Sequence, residues 1–202
     1  MGSAASDGRA VAAAPARTIP VKIVIAGGFG VGKTTLVGAV SEIAPLTTEA
    51  PLTAAGVGVD DIRLVEGKTT TTVAMDFGRI TLDHELVLYL FGTPGQERFW
   101  FMWDDLIRGA IGAIVLVDTR RLADSFAAVD YFEDRHIPFI VADNRFDPGR
   151  VHSEAQLRRA LAVGPEVPII PCDARVRESA KAALIRLVEH ALVRRRQSLP
   201  TS

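Results

Sequence analysis

The sequence has little of several features, and each shortage excludes a class of protein. A single cysteine, Cys172, excludes an internal disulfide framework and a cysteine-rich zinc site, and it favours a reducing, cytoplasmic location. No apolar run approaches the roughly 20 residues of a transmembrane helix. A formal charge of -1 gives no general attraction to nucleic acid or anionic lipid. We therefore expect a protein that does not bind nucleic acid. Any membrane association would come through a partner.

Lysine is the other scarce residue, since only four of the 23 basic residues are lysines. The rest of the composition is ordinary for a soluble globular protein, with 48% hydrophobic and 23% charged residues. A length of 202 residues fits one domain with short extensions. The sequence predicts a flexible arm over 1–18, one domain over 19–197 and a flexible tail over 198–202, because the ends lack bulky apolar periodicity.

Short β-branched runs alternate with amphipathic segments along the domain. Several of the runs are almost continuously apolar, which is typical of parallel strands covered by helices on both faces. The pattern predicts a three-layer α/β fold with a mostly parallel six-stranded sheet and one antiparallel edge strand, paired through a hairpin at Asp83 and His84. The predicted strands cover 21–26, 72–82, 85–91, 112–118, 138–143 and 167–172. The predicted helices cover 33–42, 98–108, 123–135, 153–162 and 177–196.

A phosphate-binding loop directly follows the first predicted strand. Residues 27–34 read GGFGVGKT, a full match to G-x-x-x-x-G-K-[ST] between a strand and a helix. The glycines Gly27, Gly28, Gly30 and Gly32, with Val31 between them, allow successive backbone N–H groups to surround a phosphate. Lys33 would reach the outer phosphates and Thr34 would place its hydroxyl on Mg2+. A lysine is retained where an ammonium suits phosphate better than a guanidinium.

Two further motifs stand at the ends of the last two predicted strands. In the first, NRFD, Asp147 could accept hydrogen bonds from the N1–H and 2-amino groups of guanine, and adenine offers no such donor pair. In the second, DAR, the backbone N–H of Ala174 could meet the guanine O6. Each motif is weak alone, and their placement after the phosphate loop favours a guanine nucleotide.

The order GGFGVGKTT, GTPGQERF, NRFD and DAR resembles the motifs of Ras-like small GTPases, over residues 21 to about 196. The DFG after TTTTVAM and the stretch from Phe91 to Arg121 are similar to the bacterial MglA-like branch, and most similar to the GTPases of actinobacterial conservon operons. The resemblance implies a P-loop NTPase fold, binding of GTP and GDP with Mg2+, and a switch that partner proteins read.

The resemblance also implies roles for individual residues. Gln96 would orient the attacking water, and Thr72, with Thr71 as a rival, would ligate Mg2+ and sense the terminal phosphate. Lys33, Gln96 and Thr72 are then the catalytic candidates, and Thr34 and Thr72 are the metal candidates. The remaining nucleotide contacts implied in this way are Thr35, Gly95, Asn144, Arg145, Asp173, Ala174 and Arg175.

The sequence departs from the family pattern at several positions. Gly92 stands where the family usually has the aspartate that supports the Mg2+ shell, and Arg145 replaces the usual base-stacking lysine. Phe29 occupies a loop position where a bulky side chain tends to impair hydrolysis. No arginine directly precedes Thr72, so an internal arginine finger is not evident. We therefore expect slow hydrolysis, with a binding module that scarcely hydrolyses nucleotide as the alternative.

Two segments suggest contacts with a partner. The long stretch between Lys33 and Thr72 lacks steady periodicity and is expected to be mobile without nucleotide or partner. The second segment, which we call the second switch, is a run of five adjacent large side chains that cannot all be buried on one helix face. The resemblance implies a Roadblock/LC7-type regulator, similar to MglB, as the partner at this second switch. The five residues are Phe99, Trp100, Phe101, Met102 and Trp103.

Overall fold

The structure, a computed structural model, describes residues 18–52, 71–82, 86–95, 97–145 and 152–198. Seven strands, β1 to β7, cover Ile19–Ala26, Leu46–Leu52, Thr71–Thr81, Leu86–Gly92, Ala110–Val117, Phe139–Asn144 and Ile169–Cys172. Five α-helices, α1 to α5, cover Lys33–Val40, Trp103–Ile107, Phe126–Asp134, Glu154–Leu161 and Arg177–Ser198. Two 3-10 helices, Glu97–Met102 and Thr119–Ser125, precede α2 and α3.

The strands form one sheet in the order β2-β3-β4-β1-β5-β6-β7. Strand β1 is paired in parallel with β4 and β5, and the parallel pairing continues to β6 and β7. Strand β3 is antiparallel to both of its neighbours, β2 and β4. The predicted α/β class with a mostly parallel sheet is confirmed, and β3 alone runs against the other described strands.

The sheet contains one strand more than the six expected. Strand β2 lies in the segment for which the sequence showed no steady periodicity, and it pairs with β3 along its whole length from Leu46↔Phe77 to Leu52↔Thr71. The reversed strand β3 is consequently second from the edge, and β2 forms the edge itself. The pairing supplies β2 with backbone hydrogen bonds that side-chain periodicity does not report.

The core consists of two layers, one on each face of the sheet. Ile23 and Ile25 of β1 pack on one face with α1 and α5, whereas Val24 and Ala26 pack on the other with α3 and α4. Neighbouring residues of one strand are thus buried on opposite faces, as is usual for a parallel strand covered by helices. This arrangement fixes the carboxyl ends of β1, β4, β5, β6 and β7 at one edge, where the candidate site lies.

Of the segments expected to be flexible, 1–18 and 198–202, residues 1–17 and 199–202 lie outside the described residues. Residues 53–70 and 83–85 also lie outside them, and with 83–85 the predicted hairpin at Asp83 and His84; β3 and β4 on either side are antiparallel neighbours.

Candidate functional site

The phosphate loop runs from the end of β1 into α1, which is the strand-loop-helix context that the sequence predicts. Gly27, Gly30 and Gly32 all have positive φ values, of 133°, 71° and 104°. A Cβ added to Gly27 would lie 2.4 Å from the Leu116 carbonyl oxygen. These backbone angles and close contacts require glycine. The shape of the loop therefore depends on these glycines, because a residue with a side chain would be strained at their positions.

Lys33 is buried under this loop. Its side chain is 8% exposed, and Nζ donates hydrogen bonds of 2.8 Å and 2.7 Å to the carbonyl oxygens of Gly27 and Gly28. Burial lowers the pKa of the ammonium to about 8, against a smaller raising effect of Asp76. Gly95 approaches closely, since a Cβ on it would lie 2.7 Å from Lys33 Nζ. The ammonium thus sits between the loop and the end of β4, at the position predicted for phosphate contact.

Thr34 contacts a carboxylate that the sequence analysis did not assign to the site. Its Oγ1 donates a 2.7 Å hydrogen bond to Oδ2 of Asp76, a residue of β3 that is itself only 8% exposed. Asp76 is the register partner of Gly92 on β4. A Cβ on Gly92 would lie 3.0 Å from both Cβ and Oδ2 of Asp76. The space left by the glycine is therefore filled by a carboxylate from the neighbouring strand.

The Asp76 and Thr34 pair offers a set of hard oxygen atoms beside the phosphate loop. Carboxylate and hydroxyl oxygens are the donors that Mg2+ prefers, and Mg2+ usually keeps waters and uses one or two carboxylates. The chemistry of this pair therefore fits Mg2+. The signal that could have identified Asp76 is the D-F-G string in the sequence. Its aspartate lies opposite Gly92 when β3 and β4 pair in the antiparallel direction.

Asn144, at the end of β6, connects the three predicted motifs. Its Nδ2 donates a 2.8 Å hydrogen bond to the Val31 carbonyl in the phosphate loop. Its Oδ1 accepts a 3.0 Å bond from the Ala174 N–H, in the DAR motif after β7. The side chain is 4% exposed. One buried amide thus ties the phosphate loop to both motif loops.

The second of these bonds involves a group that was predicted to contact the base. The Ala174 N–H, predicted to meet the O6 of guanine, donates to Asn144 Oδ1 instead. The two motif arginines also contact carboxylates. Arg145 Nε lies 3.2 Å from Oδ2 of the buried Asp143, and Arg175 makes two hydrogen bonds of 2.9 Å and 2.8 Å to Asp173. The positions of both guanidinium groups are therefore set by acidic residues two positions earlier in the chain.

Other predicted site residues are described only in part. Gln96 and Asp147 lie outside the described residues. Thr71 and Thr72 are placed through the backbone at the start of β3, where they pair with Leu52 and Pro51. Thr35 follows Thr34 in the first turn of α1 and is exposed. The structure thus brings together the phosphate loop, Asp76, Gly95 and the two loops that Asn144 joins.

A family described as "conserved hypothetical ATP binding protein" matches residues 25–194. This range includes the end of β1 and all of β2 to β7. The chain belongs to this family. A curated relative, the uncharacterized protein MJ1339 of Methanocaldococcus jannaschii, is 31% identical over 133 residues, covering 65% of this chain and 73% of that protein.

Solved structures similar to this chain include two G domains. The G domain of the T. maritima FeoB iron transporter aligns with a TM-score of 0.60 and 20% identity, over 86% of this chain and 99% of that domain. The FeoB G domain of Methanococcus jannaschii aligns with a TM-score of 0.58 and 14% identity, over 86% of this chain and 98% of that one. At such identities the likeness establishes the fold, and it confirms the predicted P-loop GTPase fold.

The aromatic run next to the site is divided between core and surface. Trp103 is 2% exposed and packs against Tyr131 and Phe132, at ring-centre distances of 5.0 Å and 6.0 Å. Phe99 is buried as well, whereas Phe101 is 63% exposed. Phe99 and Trp103 thus contribute to the core, and the partner contact predicted at these five residues stays a prediction. Trp103, the first residue of α2, packs in the core layer that also contains α3.

No group of three His, Cys, Asp or Glu side chains among the described residues is arranged to hold a metal ion. None of the described helices has the length and apolar character needed to cross a bilayer.

Proposed function

We propose that this protein is a guanine-nucleotide-binding switch that hydrolyses GTP slowly and acts through a partner protein. The observation that carries the proposal is the Asn144 amide, which joins the phosphate loop to both loops bearing the base-reading motifs. A phosphate site and a base site held by one side chain suit a ligand that has a base at one end and phosphates at the other. The family description and the G-domain fold support a nucleotide as that ligand.

The proposed base reader is Asp147, and Arg145 would cover the base with its planar guanidinium. A carboxylate that accepts two hydrogen bonds from guanine finds no matching donors on adenine. The Ala174 N–H would have to leave Asn144, or share its hydrogen between two acceptors, to reach O6. Specificity in this proposal therefore depends mainly on Asp147. The family description names ATP, which makes the base the first property to test.

The test compares guanine and adenine nucleotides on the wild type and on Asp147→Asn. Nucleotide released from the purified, denatured protein should be GDP or GTP by chromatography. Asp147→Asn should weaken GDP binding about 10- to 100-fold, because one charged hydrogen bond contributes ~1.5 to 3 kcal/mol. Asp134→Asn, an exposed change at the end of α3, is the control and should bind GDP like the wild type. Tighter binding of ADP than of GDP by the wild type would contradict the proposal.

Thr34 and Asp76 are the described residues that would hold Mg2+ in this proposal, with Thr72 as a further ligand. Bound Mg2+ neutralises charge on the phosphate oxygens of a nucleotide. Thr34 would offer its hydroxyl oxygen directly, and Asp76 would accept a hydrogen bond from that hydroxyl or from a water in the metal shell. Lys33 would place its ammonium on the outer phosphates, and the glycine N–H groups of the loop would surround them.

Hydrolysis would depend on Gln96 as the residue that orients water. We expect an intrinsic rate of the order of 10^-4 per second, typical of unassisted Ras-like enzymes. Phe29, which is 64% exposed on the phosphate loop, favours the second candidate function, a nucleotide-dependent binding module with little hydrolysis. Single-turnover measurements with and without a partner distinguish the two. A partner-independent rate above about 10^-2 per second would contradict both.

Phe101 is the residue on which the proposed partner contact now depends. Exposed aromatic side chains concentrate binding energy when a partner covers them. Phe101→Ala should weaken binding of a Roadblock/LC7-type protein at least about tenfold, measured by calorimetry, and leave GDP affinity unchanged. Leu192→Ala, a similarly exposed change on α5, is the matched control and should preserve the complex. Equal affinity of the Phe101 variant and the wild type would exclude this contact.

The narrower assignment to the MglA-like branch, with the conservon GTPases as the most similar group, stays part of this proposal, as does a cytoplasmic location. The single cysteine and the order of the motifs support them.

A further inference from the structure

The 3-10 helix Thr119–Ser125 packs directly on the phosphate loop. A Cβ added to Gly28 would lie 2.6 Å from Cβ of Asp124. Arg121 reaches further along the loop, and its Nη2 donates a 2.9 Å hydrogen bond to the carbonyl oxygen of Phe29. The same nitrogen lies 3.6 Å from where a Cβ on Gly30 would be. A cationic side chain therefore lies against the first half of the loop.

Arg121 is held in this position from two sides. Its Nε is 3.9 Å from Oδ2 of Asp118, and its Nη1 is 3.7 Å from Oδ2 of Asp124. Asp118 is 3% exposed and also accepts two bonds from the Arg120 guanidinium, which keep the pKa of the carboxyl below its usual range. The Arg121 backbone, with φ -140° and ψ 52°, leaves the helical region inside the turn. Carboxylates and backbone together direct this half-exposed side chain to the loop.

The bond to Phe29 constrains the peptide group that follows. No cis peptide bond occurs among the described residues, so the bond between Phe29 and Gly30 is trans. In a trans peptide the C=O and the N–H point in opposite directions. Because the Phe29 carbonyl faces Arg121, the Gly30 N–H points away from it. A run of such N–H groups next to residues with positive φ forms a concavity that binds anions.

We propose that Arg121 is a positioning residue for phosphate binding, which holds the Phe29 carbonyl so that the Gly30 N–H is presented to a phosphate of the bound nucleotide. This inference rests on the nucleotide binding in the proposed function and adds a residue that no motif contains. The guanidinium acts in two ways. It fixes the orientation of the peptide, and it polarises the peptide so that the N–H becomes a stronger donor.

The experiment compares Arg121→Met, which keeps the length and removes the donors, with Arg121→Lys, which keeps one donor. The control is Arg108→Met, which removes a guanidinium that is paired with Asp105 on an exposed surface. GDP and GTP affinities are measured with fluorescent nucleotides in Mg2+ buffer. The Gly30 amide resonance is followed by NMR with and without GDP, and thermal unfolding is followed without nucleotide.

Arg121→Met should bind GDP and GTP about tenfold more weakly, as expected for one lost hydrogen bond to a charged group. The change in the Gly30 amide shift on GDP binding should shrink in the same variant, while its unfolding midpoint stays within about 3 °C of that of Arg108→Met. Arg121→Lys should recover most of the affinity and of the shift. A solely structural contact would not give this recovery at unchanged stability.

Wild-type affinity and an unaltered Gly30 shift in Arg121→Met would overturn the inference. The inference would also be overturned if Arg121→Met and Arg121→Lys both lost nucleotide affinity and thermal stability together. Arg121 would then only hold the 3-10 helix against the phosphate loop. If the wild type binds ADP in preference to GDP, the proposed base choice fails, and the same comparison with ADP decides the role of Arg121. If the wild type binds neither nucleotide, the proposed function and this inference both fall.

Discussion

Replacing Asp76 with glycine is expected to reduce Mg2+-dependent GDP affinity about 10- to 100-fold, which is the usual effect of losing a residue that supports a metal ligand. The Thr34 hydroxyl donates to this carboxylate over 2.7 Å, so the substitution removes both a negative charge and the group that orients Thr34. Affinity measured with Mg2+ and with EDTA should become nearly equal in the variant. Asp105→Asn, an exposed change on α2, should keep the Mg2+ dependence of the wild type.

The pairing of Asp76 with Gly92 allows a second, reciprocal change. Gly92→Asp alone should lower the unfolding temperature, because its Cβ would be 3.0 Å from Cβ of Asp76. Combined with Asp76→Gly, it places a carboxylate on β4 in the space that the first one left, and Mg2+ dependence should return in part. Undiminished Mg2+ dependence in Asp76→Gly would show that this carboxylate does not support the metal.

Lys33→Met is expected to have the largest effect on nucleotide affinity, a loss of about 1000-fold in GTP binding. The variant would lack the charge-assisted hydrogen bonds from the ammonium to two phosphates, and each such bond contributes ~1.5 to 3 kcal/mol. The change keeps an unbranched side chain under the loop, so the fold should persist. Lys181→Met, at another of the four lysines, is the matched control and should bind GTP like the wild type. Equilibrium titration with fluorescent GTP measures both.

The same ammonium should make nucleotide affinity depend on pH. This dependence distinguishes the contribution of its charge from that of the packing of its side chain. Burial lowers the pKa of Lys33 to about 8 in the free protein, and bound phosphate raises it. Below about pH 8 the ammonium is already protonated, so affinity should be flat there. Above that pH binding requires uptake of a proton, and affinity should fall by up to tenfold per pH unit. The residual binding of Lys33→Met should lack this fall, and a parallel fall in the variant would assign it to another group.

The parts of the site that the sequence predicts are local in the chain. The phosphate loop could be located because its glycines, Lys33 and Thr34 are consecutive and lie between a strand and a helix. Their burial and their φ angles then follow from the same few residues. The alternation of apolar runs and amphipathic segments likewise determined the α/β class.

The parts that the sequence did not predict depend on contacts between distant segments. Asp76 enters the site only because β3 pairs with β4 in a register that opposes it to Gly92. Strand β2 exists through its pairing with β3, and the inward turn of Trp103 depends on Tyr131 and Phe132 of α3. Composition and periodicity describe a segment alone, whereas these features require knowledge of its neighbour.

The buried amide of Asn144 has a thermodynamic consequence for any ligand that occupies both ends of the site. Its two hydrogen bonds, of 2.8 Å and 3.0 Å, connect the phosphate loop to the loop after β7 through one side chain. A ligand group that orders one of these loops lowers the entropy cost of ordering the other. For the proposed nucleotide, we therefore expect the free energies contributed by the base and by the phosphates not to be additive, and the whole nucleotide should bind more tightly than its separate fragments would indicate.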